Sequence, residues 1–321
     1  MDKKSLHSIN LLKNPKFREF IDAYVCLINA SKRVSLEEGR KLSTQFFLYP
    51  GTVYETVERI ENILILGKDQ NEISLRIFIP KESKVMPVLI YFHRGGWVFG
   101  NIEEADPVCR KLANHLKCIV VSVEYRLAPE NPFPKPLDDC YAATQWTAEN
   151  ISYFGGDPTK LIVCGESAGG NLAAAVTLMA RDMKGPSLFA QLLIYPAISS
   201  TIKDVNFKNC PDQYFLTKDT IKFFWRMYLQ SPEDHKKPYA SPDKATDFTN
   251  LPPALIITAE YDPLRDEAEE YAKILLNSNN RAIFKRFPEV IHGFIDLPLY
   301  EENKKIAWID EIGNLINKLE T

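Results

Sequence analysis

Residues 161–170 read Leu161-Ile162-Val163-Cys164-Gly165-Glu166-Ser167-Ala168-Gly169-Gly170. An apolar run with strand composition enters Gly165-Glu166-Ser167-Ala168-Gly169, and small residues follow, Asn171-Leu172-Ala173-Ala174-Ala175, which suit a helix. The pattern G-x-S-x-G between strand and helix sets the serine on a sharp turn, where glycines two positions either side avoid collision with both elements. Ser167 is therefore the candidate nucleophile. The first turn of the following helix adds partial positive charge where an oxyanion would develop. The five-residue pattern alone is a weak signal, and a glycine-rich loop without chemistry would also satisfy it. The apolar run before it and the small-residue helix after it sharpen the reading.

Outward from this stretch, short β-branched runs alternate with helical periodicity from about residue 58 onward. Strands are expected at 61–67, 72–79, 87–93, 118–124, 160–165, 190–195, 254–260 and 282–287, and helices near 103–115, 137–152, 168–183, 217–229, 264–277 and 301–319. Short apolar strands separated by helices imply an α/β fold, a mostly parallel eight-stranded sheet flanked by helices. The link Lys68 to Asn71 is short enough for an antiparallel hairpin at the start of the sheet. Residues 15–32 read as an amphipathic helix, followed by an irregular segment carrying Phe46, Phe47 and Tyr49 and ending at Pro50-Gly51. Residues 197–250 break the alternation with polar chain around one aromatic helix (Phe223, Phe224, Trp225, Tyr228), which reads as an insertion between strands.

A serine needs a base, a carboxylate that orients the base, and donors for the oxyanion. After a strand–turn–helix serine, the carboxylate and the histidine follow in that order, each just beyond a strand. Asp262 lies at the end of the run 254–260, with Pro263 opening the next helix. Glu260 would still lie on the strand and Asp266 one turn into the helix, so Asp262 is best placed, with a helix N-cap as its rival role. His292 follows the run 282–287 and precedes Gly293. His7, His115 and His235 fall in the N-terminal segment, late in a helix and in the insertion, where surface or packing roles suffice.

The strand at 87–93 ends in His93-Arg94-Gly95-Gly96-Trp97, which resembles the HGGG loop of lipases and esterases, whose backbone N–H groups face an oxyanion. Arg94 replaces its first glycine. Gly95 and Gly96 remain, the N–H of Ala168 completes the set, and His93 reads as a loop support. Tyr125-Arg126-Leu127-Ala128-Pro129-Glu130, Asn131-Pro132-Phe133-Pro134, Leu137-Asp138-Asp139, Gly155-Gly156-Asp157-Pro158 and Leu251-Pro252-Pro253 add to the pattern. Together these motifs resemble the hormone-sensitive lipase family of α/β-hydrolases, over about residues 60–320. The resemblance implies an α/β-hydrolase fold with Ser167, His292 and Asp262 as the relay and Gly95, Gly96 and Ala168 as oxyanion donors. It also implies a helical cap made of residues 1–50 and 197–250 over a catalytic domain of 51–196 and 251–321. Some relatives are dimers through an edge strand, so a homodimer is possible. A guanidinium at Arg94 would attract an acidic alcohol or acyl group, pair with a cap carboxylate, or simply face solvent or pair structurally. Asp138 and Asp139 open a helix, where acidic residues suit the dipole, and Glu166 reads as a structural hydrogen-bonding group or a tuner of the site.

Composition narrows the classes. Lys and Arg number 39 against 42 Asp and Glu, a formal charge of −3. Nothing there favours phosphate backbones, so nucleic acid is not an expected partner. Six cysteines (Cys26, Cys109, Cys118, Cys140, Cys164, Cys210) show no CxxC spacing and read as free thiols of a reducing compartment. Residues 1–17 have no apolar core of a signal peptide, and no run approaches a membrane span, so a cytoplasmic protein is expected. No metal-ligand or Walker spacing is present, and no cofactor is expected. The expected activity is a serine carboxylesterase for short- to medium-chain acyl esters, with Trp97, Phe224 and Trp225 as pocket lining or plain core. The same site would serve an amidase, formamidase or lactonase, and a hydrolase-fold receptor without catalysis is the more distant alternative. Glycine is scarce, 14 in 321 residues, yet eight fall within 95–170.

Overall fold

The apolar runs assemble into one sheet whose order carries the site. The computed structural model describes residues 15–31, 34–82, 84–207 and 215–320. Its strands are β1 (Arg59–Leu66), β2 (Glu72–Ile79), β3 (Met86–Phe92), β4 (Ile119–Val123), β5 (Gly156–Glu166), β6 (Ala190–Ile194), β7 (Ala254–Tyr261) and β8 (Ala282–Ile291). The helices are α1 (Pro15–Ser31), α2 (Leu36–Phe47), α3 (Ile102–Leu116), α4 (Lys135–Asn150), α5 (Ala168–Asp182), α6 (Lys218–Tyr228), α7 (Arg265–Asn277) and α8 (Glu302–Glu320), with short 3-10 turns between some of them. The sheet order is β1-β2-β4-β3-β5-β6-β7-β8. β2 runs antiparallel to β1 and to β4, and the pairs from β4 through β8 are parallel.

Alternation along each strand supplies two apolar layers. Val88, Ile90 and Phe92 of β3 join one cluster with Leu161 and Val163 of β5, while Leu89 and Tyr91 join the other with Ile162 and Cys164. A strand buried on both faces in this way belongs in the middle of a helix-covered sheet. β3, β5, β7 and β8 are parallel, so the residues after them, from His93, Ser167, Asp262 and His292, emerge at one edge. That edge is where open α/β sheets place their sites.

The segment expected to be irregular before Pro50 is in fact α2. Ser35 caps it, its hydroxyl accepting the Glu38 N–H at 3.2 Å, and Glu37 and Glu38 fill the first turn. Ser35-Leu36-Glu37-Glu38 is a capping-box sequence, a signal outweighed by the aromatics Phe46 and Phe47. β8 also runs four residues past its expected end, to Ile291. Asp139 does more than suit a helix dipole. It is fully buried and takes the guanidinium of Arg126 through both oxygens at 2.8 Å, with Asn71 at 3.0 Å. It thereby ties the Tyr125–Glu130 segment to α4.

Cys26 is exposed, and Cys109, Cys118, Cys140 and Cys164 are buried; all five are free thiols. Cys210, His7 and the segment 1–14 lie outside the described residues. Among the described residues no helix is long and apolar enough to cross a membrane, and no group of three or more His, Cys, Asp or Glu could hold a metal ion.

Candidate active site

Ser167 stands between β5 and α5 with φ 55° and ψ −114°. Its N–H donates to Ile194 O at 2.9 Å, and its carbonyl accepts from Asn171 N at 3.1 Å and Ala197 N at 3.1 Å. The neighbouring glycines are required by space. A Cβ on Gly165 would lie 2.2 Å from Gly169 O, and one on Gly169 would lie 1.9 Å from Phe92 O.

His292 Nε2 lies 2.9 Å from Ser167 Oγ, and His292 Nδ1 lies 2.7 Å from Asp262 Oδ2. The other carboxylate oxygen of Asp262 accepts the Leu264 N–H at 2.8 Å. Asp262 and His292 are buried, whereas Ser167 is partly open. The rival carboxylates are engaged elsewhere, Glu260 with the Glu289 N–H at 2.9 Å and Asp266 with Arg265 at 2.7 Å. His115 contacts Glu55 and Asp310, and His235 sits in a short turn of the insertion.

After β3 the chain turns through Gly95 at φ +122° and Gly96 at φ +62°. Gly95 O accepts from Val98 N and Phe99 N, and a Cβ on Gly95 would lie 2.1 Å from Phe99 O. His93 supports this loop from below: its ring stacks on Tyr125 at 4.1 Å, Nδ1 lies 2.8 Å from Arg94 O, and the Tyr125 hydroxyl donates to His93 O at 2.8 Å. Burial pushes the His93 imidazole down to about 4, so it is neutral at pH 7. Among the described residues, the N–H groups of Gly95, Gly96 and Ala168 donate to no protein acceptor.

A family model described as the alpha/beta hydrolase fold matches residues 89–296, well over half of the chain. This chain belongs to the α/β-hydrolase family, on its hormone-sensitive-lipase branch. It is similar to "Carboxylesterase NlhH" of Mycobacterium tuberculosis, 35% identical over 89% of this chain and 90% of that protein. It is likewise similar to an "Arylesterase" of Saccharolobus solfataricus, 38% identical over 89% of this chain and 93% of that protein. Among solved structures, a hyperthermophilic esterase from the archaeon Pyrobaculum calidifontis superposes with a TM-score of 0.85. It is 37% identical, over 96% of this chain and 98% of that one.

In this α/β-hydrolase, Ser167, Ala168, Gly95, Gly96 and His292 open into one cavity whose remaining wall is largely apolar. Trp97, Phe224 and Trp225 all reach it. Trp97 and Trp225 are buried and also serve as packing, with Trp97 stacked on Tyr228 at 4.4 Å. Phe224 lies so close to Gly96 that a Cβ there would meet its ring at 2.3 Å. Tyr24, Phe47, Phe215, Leu216 and Ile221 also line it and were not picked out by sequence. The signal for Tyr24 and Phe47 is their place in the N-terminal helices; contact with a site 120 residues away has no sequence mark.

Arg94 also borders the cavity. Its Nε bonds Asp296, Nη1 lies 3.5 Å from Glu104, and its guanidinium covers the Phe47 ring at 3.7 Å. Both carboxylates belong to the body of the fold, so the expected pairing with a cap carboxylate is not what forms. Glu166, fully buried, accepts the hydroxyls of Tyr91 at 2.6 Å and Tyr195 at 2.5 Å, and the Tyr195 ring packs 4.8 Å from that of His292.

Proposed function

We propose that this carboxylic ester hydrolase is a serine esterase acting on neutral esters of short to medium acyl chains. His292 takes the proton of Ser167 as Oγ attacks the ester carbonyl. The N–H groups of Gly95, Gly96 and Ala168 stabilise the oxyanion, and His292 returns the proton to the leaving alcohol. Water activated by the same imidazole then releases the acid, while Asp262 holds the tautomer and stabilises the imidazolium. The observation that carries this reading is His292 standing 2.9 Å from Ser167 Oγ and 2.7 Å from Asp262 beside three N–H groups without protein acceptors.

The substrate class follows from the wall. Aromatic and aliphatic side chains from α1, α2 and α6 close over the serine, and we assign these helices to a cap formed by 1–50 and 197–250. A largely apolar cavity partly covered by these helices favours acyl chains of about C2 to C8. The charge of Arg94 is already met by Asp296 and Glu104, so this side chain is not left free to draw an anionic substrate.

A fluorophosphonate should label Ser167 stoichiometrically, and Ser167→Ala should lower kcat by about 10⁶. Near wild-type turnover in that variant would end the proposal. A p-nitrophenyl ester series fastest at C12 or longer would overturn the chain-length reading.

A further inference from the structure

The oxyanion loop and the His292 loop must meet over Ser167, yet their strands are far apart in the sheet. β3 and β8 are separated by β5, β6 and β7. Four interstrand spacings of ~4.8 Å put their axes roughly 19 Å apart. Each loop has to cross toward the other, and backbone pairing between β3 and β8 cannot set their separation. Among the described residues, the side-chain hydrogen bond joining the two loops is that of Arg94 Nε to Asp296. Arg94 directly precedes Gly95, and Asp296 lies four residues beyond His292, its N–H turned back to Gly293 O at 3.2 Å.

We infer that Arg94 is a positioning residue, which fixes the oxyanion donors relative to His292 by joining their two loops through Asp296 and bracing both against α2. The inference rests on the reading of Ser167 and His292 given above. The brace is built from three contacts. Phe47 of α2 covers the guanidinium face, and Glu104, which accepts from Arg94, also accepts the hydroxyl of Thr44 in α2 at 2.8 Å. Arg40 of α2 donates to Val98 O at 2.8 Å, at the far end of the oxyanion loop. A glycine at position 94 would lose the Asp296 and Glu104 bonds and the Phe47 contact, and leave only the Arg40 tie of the oxyanion loop to α2. A receptor role for an acidic substrate fits less well, because the side chain is 13% exposed and faces two carboxylates. Burial works against the charge, and Asp296 and Glu104 outweigh it, so the group stays a cation.

The test is steady-state hydrolysis of p-nitrophenyl butyrate by Arg94→Gly, Arg94→Lys, Asp296→Asn and the Arg94→Gly/Asp296→Asn double variant. Rates are taken per fluorophosphonate-labelled site, and folding is followed by thermal unfolding. A misplacement of about 1 Å costs about 10²-fold in rate. We therefore expect Arg94→Gly and Asp296→Asn each to lose roughly 10- to 100-fold in kcat, with KM changed less than about threefold. The double variant should lose no more than the worse single one, since both act through one bond. Arg94→Lys, which keeps the charge without the planar fork, should fall between. A trifluoromethyl ketone inhibitor should weaken in step with kcat/KM, a readout that general destabilisation would not move. Arg94→Gly retaining kcat within twofold, losses that multiply in the double variant, or a loss confined to KM would each overturn the inference. Should Arg94→Gly fail to fold, Asp296→Asn with full kcat overturns it alone. If Ser167→Ala keeps its turnover, the nucleophile assignment fails instead, and the two failures are told apart.

Discussion

At Ser167 the backbone occupies a region that residues with a Cβ enter at a cost of about 1–3 kcal/mol, and bonds to Ile194 and Ala197 hold it there. Asp262 is divided in its work. One oxygen is fixed by the Leu264 N–H, which aims the other at His292 Nδ1. Asp262→Asn keeps the size of the side chain but offers an amide where the imidazole needs an acceptor. We expect kcat to fall by about 10⁴ with the fold retained, checked by kinetics beside circular dichroism; a loss under tenfold would remove Asp262 from the relay. That Ser167, Asp262 and His292 would come together was legible because each lies within a few residues of the end of an expected strand, and such positions gather at one sheet edge. The Arg94–Asp296 bond was not legible. Its partners are 202 positions apart, and only the crossing of two loops from distant strands brings them together.

Among the elements, α2 shows how a local signal can be present and still be outweighed. Ser35 and Glu38 mark its start, but Phe46 and Phe47 at its far end, with Tyr49 just beyond, read as irregular chain, because aromatics carry weak helix propensity. Phe47 serves the cavity and Arg94, and Phe46 packs on Phe20 and Tyr24, which are tertiary causes. α6 was legible as an aromatic helix within an insertion, while its seat on the oxyanion loop was not. Phe224 of α6 lies against Gly96 and limits the space beside the reacting carbonyl. Phe224→Ala should therefore widen the cavity and move the best acyl length upward by several carbons, with the rate on acetate falling. The p-nitrophenyl ester series from C2 to C12, measured per labelled site, reads this directly. An unchanged profile would place Phe224 outside the substrate space.

For the whole molecule, covering both faces of the sheet has an electrostatic consequence. The alternation that fills the two apolar layers was legible in the sequence, but which carboxyls become enclosed depends on how the layers close. Burial raises Glu166 of β5 to about 7, Glu124 after β4 to about 7 and Glu267 of α7 to about 8. In the unfolded chain such groups titrate near 4.3. Between those values the folded state binds more protons than the unfolded one, so stability is full below about pH 4.5 for these groups and drains away as pH rises toward 8. His93, held near 4, acts in the opposite sense between about pH 4 and 6.5 and offsets part of this loss. Above 6.5 the carboxyls act without that counterweight. The urea midpoint should accordingly be higher at pH 6 than at pH 8. Glu166→Gln keeps an acceptor for one tyrosine and a donor for the other, and removes the titration. It should flatten the slope between pH 6 and 8, removing about 1.4 kcal/mol of the wild-type loss across that interval. A variant whose midpoint tracks the wild type across that range would show that Glu166 titrates alike in the folded and unfolded chains, and that its two tyrosine bonds hold the carboxylate as well as water does.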